Sequence, residues 1–342
     1  MRIQRTNVRV AFAVLIVLLL VASFLELSLG PVNIPVRHVF VNLWAYLAGR
    51  RSEDAVVMGA IRLPELLEAG LVGAGLATTG AVLQAIFRNP MADPGIIGIS
   101  SGSSVGAVLI IALGVANLNQ WFTPAAAFVS GMVTVYVIYR LGTIGGRTLI
   151  HSLLLSGVAV SSLCSAVVTL ILSLEPLQTM HQILFWLMGG LDGSTWLNVV
   201  MVTIFVVVGF VVYLTQSTAL DILSVGEEQA EGVGVPLQAV KQLMLIVSAL
   251  VVGACVSVSG VIGFIGLIVP HLMRIWIGPS HGRLLWASAL GGATLLIASD
   301  VVSRIILLPI ILNVGIVTAC LGAPFFLYLL RRQFSGRMGA GV

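Results

Sequence analysis

Ten apolar runs, each close to the roughly twenty residues a helix needs to cross a bilayer, leave this chain little room to fold in water. They cover residues 8–29, 64–86, 96–114, 123–141, 152–173, 196–214, 238–258, 261–277, 285–306 and 311–330. Helices are the only way to satisfy the backbone of such runs in hydrocarbon, because the sequence lacks the alternation of barrel strands. Only 9% of the residues are charged, against about 25% in water-soluble domains. The expected fold is an all-α polytopic membrane protein, one transmembrane domain over residues 1–342. The eighth run is the most interrupted, by Pro270, His271 and Arg274.

Charge placement orients the runs. Ten crossings put both termini on one side. With the N-terminus inside, 12 of the 17 basic residues fall inside and 5 outside, the bias expected of cytoplasmic loops. The outside five are Arg37, Arg50, Arg51, Arg62 and Arg304. The first run, preceded by Arg2, Arg5 and Arg9, reads as an uncleaved span, since no clean small-residue cleavage site follows it.

Several functions are excluded by what the sequence lacks. The arginines are scattered among loops, so no nucleic-acid footprint exists. The only lysine, Lys241, follows Val240 rather than a glycine, so there is no phosphate-binding loop. Cys164, Cys255 and Cys320 all lie inside apolar runs at no metal-ligand spacing. No catalytic or metal-binding residue is expected, and energy must come from a partner or an ion gradient.

Three segments lie between runs. Residues 30–61 contain Pro31 and Pro35, then a stretch over 36–49 suited to a short interfacial helix with Trp44 and Tyr46 at headgroup level. Residues 174–195 hold Phe185-Trp186 and suit a short helix beside the path. Residues 215–237 carry Asp221, Glu227, Glu228 and Glu231, with Leu220, Leu223, Val225, Ala230 and Val233 as a modest apolar face. Ser224 is placed to cap a helix starting at Val225, with Glu227 at the capping-box position. Such a segment is either a solvated loop or a pair of short helices that dock in a partner's groove.

A weak internal repeat appears at an offset of 180, pairing Gly73 with Gly253, Gly80 with Gly260 and Pro90 with Pro270. The second and seventh runs then cross in opposite directions, as an inverted repeat requires.

Four motifs carry a resemblance. The first is Arg62-Leu63-Pro64-Glu65, a Gly/Ala-rich helix ending near Gln84, Asn89-Pro90-Met91-Ala92-Asp93-Pro94, and Gly98-Ile99-Ser100-Ser101-Gly102. The second is Gly226-Glu227-Glu228-Gln229-Ala230 with Gly234-Val235-Pro236. The third runs from Gly260 through Pro270-His271 to Arg274, and the fourth from Asp300 and Arg304 through Pro309 to Phe326. In this order, over about residues 55–332, the chain resembles the FecCD-type permeases. These are the membrane subunits of binding-protein-dependent ABC importers for iron–siderophore complexes, haem and cobalamin.

The resemblance implies an assembly and a set of roles. This chain would pair with a second copy or a paralogue, two cytoplasmic ATPase subunits and an external substrate-binding protein, in a bacterial or archaeal cytoplasmic membrane with both termini cytoplasmic. It would bind no cofactor, ATP and magnesium belonging to the ATPase. Coupling to the ATPase would fall to Leu220, Ser224, Gly226, Glu227, Glu228, Ala230 and Gly234. Arg62 and Arg304, with Arg50 or Arg51, would meet carboxylates on the binding protein. Ile150 and His151 would form an inner gate. Gly157, Ser161 and Ser165 on the fifth run, and Gly315, Ala319 and Gly322 on the tenth, would line the path; small-residue faces of this kind equally serve as close-packed helix contacts. Asn89, Pro90, Asp93, Pro94, Pro270 and His271 would be structural. Two motifs depart from the family pattern: Glu65 stands where the family has a second arginine, and Ile311 and Asn313 stand where it has glutamate and proline.

The expected function is import of a metal chelate, iron–siderophore first and haem or cobalamin as alternatives. A gradient-driven carrier would need ionisable residues deep in the spans. Apart from Glu68, Asp300 and Arg304 the runs offer almost none. A purely structural scaffold is the remaining rival.

Overall fold

A computed structural model describes residues 8–30, 38–50, 52–145, 147–307 and 309–338. Helices follow the apolar runs. They are α1 (Val8–Ser28), α2 (Val39–Leu47), α3 (Glu53–Val56), α4 (Leu63–Ile86), α5 (Ile99–Ala112), α6 (Phe122–Gly142) and α7 (Ile150–Leu174). After these come α8 (Leu177–Leu187), α9 (Trp196–Thr215), α10 (Ser217–Val225), α11 (Glu227–Gly232) and α12 (Leu237–Ser259). The last three are α13 (Ile265–Ile277), α14 (His281–Ile305) and α15 (Val314–Met338). A π-helical turn, Val57–Arg62, joins α3 to α4. A two-residue ladder pairs Thr143 with Thr148 and Ile144 with Arg147.

Every expected span is helical, but two are shorter than expected. The runs 96–114 and 261–277 become α5, of 14 residues, and α13, of 13. At 1.5 Å per residue each rises only about 20 Å, short of the roughly 30 Å hydrocarbon core. The missing turns are replaced by irregular backbone. Before α5 it passes through a 3-10 turn, Pro94–Ile97, to Gly98 at φ 74°. Before α13 it passes through Gly260 at φ 65° and Phe264 at φ 68°. Irregular backbone at this depth is tolerated where protein buries it, and Ile97, Ile99, Ile262 and Ile265 are all buried.

The helix pattern of α4, α5, α6 and α7 (24, 14, 21 and 25 residues) recurs in α12, α13, α14 and α15 (23, 13, 25 and 25). The repeat is therefore real at the level of elements. The constant offset of 180 is not: corresponding helices start 174, 166, 159 and 164 residues apart, because the connecting loops differ in length. Gly80 and Gly260 are consequently not equivalent, one lying inside α4 and the other ending α12.

The centre of the bundle is α4, whose face is buried nearly all round. Small residues allow this. In lipid, helices gain little from hiding apolar surface and associate through close backbone approach. A Cβ on Gly73 would sit 2.3 Å from the Gly292 carbonyl oxygen, and one on Gly80 would sit 1.9 Å from that of Gly266. These contacts seat α14 and α13 against α4. Along α4, Gly75 meets Val251 and Cys255, while Thr79, one turn on, joins Tyr213 at 3.0 Å, which donates to Ser248 at 3.2 Å. The partner numbers fall as those on α4 rise, so α12 runs antiparallel to α4, as an inverted repeat needs.

One end of the bundle is held by charge. Arg304, near the end of α14, lies 2.8 Å from Glu26 of α1 and 3.1 Å from Glu65 of α4, and also pairs with Asp300 one turn back. All four side chains are buried. Arg62 donates to the Leu27 carbonyl at 2.6 Å, tying the same helix ends.

Two outcomes follow. Gly80→Val drives a branched side chain into backbone that cannot yield, and should cost at least about 2 kcal/mol; thermal unfolding in lipid nanodiscs will register it as a lower midpoint or lost expression. Arg304→Met strands the buried carboxylates and should cost about 3–5 kcal/mol. Glu65→Gln leaves Arg304 with Glu26 and Asp300 and should cost clearly less, so the same melts check the ranking.

Candidate functional site

The acidic segment between α9 and α12 folds as two short helices, α10 and α11, meeting at Gly226. This is where the sequence expectation changes. A helix capped by Ser224 was expected to begin at Val225; instead α10 runs through Val225 and Ser224 donates to the Asp221 carbonyl at 2.7 Å. Gly226 is extended (φ 166°, ψ 153°) and breaks the helix there. The apolar face also divides. Leu220, Leu223 and Ala230 are fully buried against the spans, with Gly226 between them, so they cannot themselves touch a partner. Ser224, Val225, Glu228, Val233 and Gly234 stay exposed.

Two polar clamps fix this segment to the bundle. Glu227 of α11 lies 2.7 Å from Lys241, a side chain of α12 that is 1% exposed. Asp221 of α10 accepts from the His281 backbone N–H at 2.7 Å and from Ser280 at 3.3 Å, and lies 2.6 Å from His281 Nδ1. His281 opens α14. Sequence reasoning noticed Asp221 only as one acid of several. Its partner lies sixty residues on, and no spacing rule connects them. Lys241 was noticed only for lacking a glycine before it.

The start of α12 makes two further connections. Gln238 accepts from the Thr148 backbone N–H at 3.1 Å, holding the ladder that precedes α7, and Gln242 donates to Tyr139 of α6 at 2.6 Å. Ile150 and His151 begin α7 directly after that ladder. They share a cavity of about 630 Å³ with Phe87, Arg88, Ser224, Val225 and Glu227. The expected gate and the expected coupling segment thus face each other across open space.

The six path residues do not share one open face. A Cβ on Gly157 would meet the Ile96 carbonyl oxygen, and Ser161 accepts from Ser101 at 2.9 Å. Gly315 donates to the Gly189 carbonyl at 3.1 Å, and Gly322 lies against the Phe264 ring. These four are close-packed contacts, the other role such faces have. Ala319 is half-buried, and Ser165 is exposed. What α7 leaves bare is a different stripe: Leu155, Val158, Leu163 and Leu170.

The structural motif residues sit where α4 meets α13. Asn89 accepts from Met91 N–H at 3.0 Å, and Asp93 accepts from Gly95 N–H at 2.8 Å, capping the turn that Pro94 begins after Pro90. Pro270 lies inside α13 and cannot donate to the Gly266 carbonyl. The amide of Gln84 approaches that oxygen at 3.4 Å, and Arg274 donates to Gln84 at 3.0 Å. His271 is half-buried on the same helix.

At the opposite end, two of the four residues expected to dock a binding protein are buried. Arg62 and Arg304 are 3% and 5% exposed. They line a cavity of about 260 Å³ together with Glu65 and Asp192. Their guanidinium groups are engaged within the chain, so neither is a free surface contact. Arg50 is exposed, and Arg51 lies outside the described residues. Sequence reading missed Glu26. The available signal was a carboxylate inside an apolar run.

Comparison with known proteins agrees with this architecture. The FecCD transport family matches residues 18–332. The cobalamin import system permease protein BtuC of Halobacterium salinarum is 46% identical over 276 residues, spanning 81% of this chain and 73% of that one. The hemin transport system permease protein HmuU of Yersinia pestis is 35% identical over 340 residues, 98% of this chain and 99% of that one. Among solved structures, an inward-facing metal-chelate type ABC transporter superposes with a TM-score of 0.83 at 31% identity, covering 95% of this chain and 99% of that one. The chain belongs to the FecCD transport family, and is a multi-pass permease of the ABC-importer type.

Proposed function

We propose that this chain forms half of the path by which an ATP-driven importer brings a metal chelate across the cytoplasmic membrane. The observation that carries the reading is the pair of short helices α10 and α11. They are tied to the bundle on one side and present Val225, Glu228 and Val233 on the other. An exposed edge of this kind suits the groove of a soluble ATPase. That subunit would hold the ATP and magnesium and do the hydrolysis; this chain, read as one transmembrane domain, does no bond chemistry.

The rest of the assembly follows from the faces left uncovered. The bare stripe on α7, and Leu321 and Leu327 on α15, suit a second permease copy. Placing α10 and α11 in the cytoplasm, with both termini, agrees with the 12 to 5 division of basic residues. A binding protein would then dock at the end that carries Arg50. Arg62 and Arg304 would act on docking only indirectly, by fixing the ends of α1, α4 and α14.

For the cargo, cobalamin is the reading best supported, through the 46% identical permease. Haem comes next, through a permease matched along almost its whole length. The iron–siderophore reading made from the sequence ranks behind both. Sealed vesicles holding the permease, its ATPase and its binding protein should accumulate labelled cobalamin only when ATP is supplied on the side of α10 and α11. Accumulation driven by an imposed proton or sodium gradient instead would overturn the ATP reading. Preference for haem or a ferric siderophore would overturn the cargo alone. Val225→Glu with Glu228→Arg should weaken co-purification of the ATPase about tenfold, the order of loss expected for removing central contacts of an interface.

A further inference from the structure

We propose that the first turns of α12 relay movement of α10 and α11 to the start of α7, with Lys241 and Gln238 as the positioning residues. The inference rests on the reading above that α10 and α11 receive the ATPase, and it adds the route by which that contact reaches the gate.

The chain joins α11 to α12 through residues 233–236, and the Glu227–Lys241 contact adds a second, side-chain link between the same two helices. Between α10–α11 and the start of α7 lies the 630 Å³ cavity, lined on one wall by Ser224, Val225 and Glu227 and on the other by Leu149 to Ser152. At the cavity the two elements are separated by open space. Polar contacts bypass it. Glu227 grips Lys241 at 2.7 Å. One turn earlier on the same helix, Gln238 accepts from Thr148 N–H at 3.1 Å. Thr148 is one residue from Leu149, the N-cap of α7.

Residues three apart lie one above the other on a helix face, within a single turn closed by backbone hydrogen bonds. Displacing Glu227 therefore displaces Gln238, and with it the ladder that leads into Ile150 and His151. The next polar residue, Gln242, binds Tyr139 of α6 at 2.6 Å, so the other helix attached to that ladder is held by the same turns. Lys241 is buried with its charge paired. Parting it from Glu227 is costly, which keeps the grip closed while the segment moves.

The pairing also differs from a structural staple in a way that can be measured. A staple would matter for folding wherever it sat. A relay places Lys241 and Gln238 in series, so losing either link should silence the same signal, and losing both should do no more.

The test uses the permease assembled with its ATPase, with Cys164, Cys255 and Cys320 replaced and a single reporter, His151→Cys. Labelling by a membrane-impermeant maleimide is followed with and without ATP. In the parent, nucleotide should change the labelling rate by at least about fivefold, the low end of usual coupling between sites. With Lys241→Met or Gln238→Leu, while the ATPase still co-purifies, the change should shrink below about twofold. The double variant should match either single one. Exchanging the pair, Glu227→Lys with Lys241→Glu, should recover the response.

If the parent responds and both single variants respond equally well, the relay is wrong while the coupling role of α10 and α11 stands. If the parent itself does not respond, that role fails and the relay falls with it. Should Lys241→Met fail to fold, Gln238→Leu decides, since it removes one hydrogen bond from a side chain and leaves the buried charge paired.

Discussion

Backbone against backbone is the contact on which this protein depends. Gly73 meets the Gly292 carbonyl and Gly80 meets that of Gly266 at distances no side chain would permit. In water a helix as rich in glycine as α4 would be a poor one. In lipid the backbone has no other way to satisfy its polar groups, so the helix survives. Its lack of side chains then becomes the means of association. With α4 at the centre, α13 and α14 meet it through their own glycines, Gly266 and Gly292, while α12 lays Val251 and Cys255 against Gly75. The Thr79, Tyr213 and Ser248 hydroxyls satisfy one another.

That central packing explains why ionic contacts gather at the two ends. Arg304 with its carboxylates closes one end, and Glu227–Lys241 with Asp221–His281 close the other. Each ties helices that α4 alone would leave splayed. Glu65 has a particular consequence. Where the family pattern has an arginine, this chain has a carboxylate that draws Arg304 inward. Arg304 thereby serves as an internal brace.

How much of this was legible in the sequence depends on the kind of information each feature needs. Span positions were legible to within a few residues at most ends, because run length in lipid is a direct physical requirement. The shortness of α5 and α13 was not. The residues around Gly98 and Phe264 are as apolar as a span, and packing against other helices, Gly98 beside Ile138 and Ser161 and Phe264 beside Gly322, lets them leave the helix. The repeat was visible, but its offset was not constant, because loops of unequal length separate helices of similar length. The faces of Gly157 and Gly315 carried two meanings, and composition could not choose between them. The clamps were invisible for a simpler reason. Asp221 and His281, like Thr148 and Gln238, are neighbours only once the bundle has formed.

The same contacts limit how the bundle can move. α14 is held at its start by Asp221, near its middle by Gly73 against Gly292, and at its end by Glu26 and Glu65. The middle contact has no side chain to flex. A sideways step there would drive one backbone into another, whereas a rotation about it preserves the contact. The polar contacts at the two ends reach through longer side chains and tolerate a small tilt. The close approach that allows α4 to be buried therefore also restricts sideways movement of α14, so packing and the limit on movement are two consequences of one constraint.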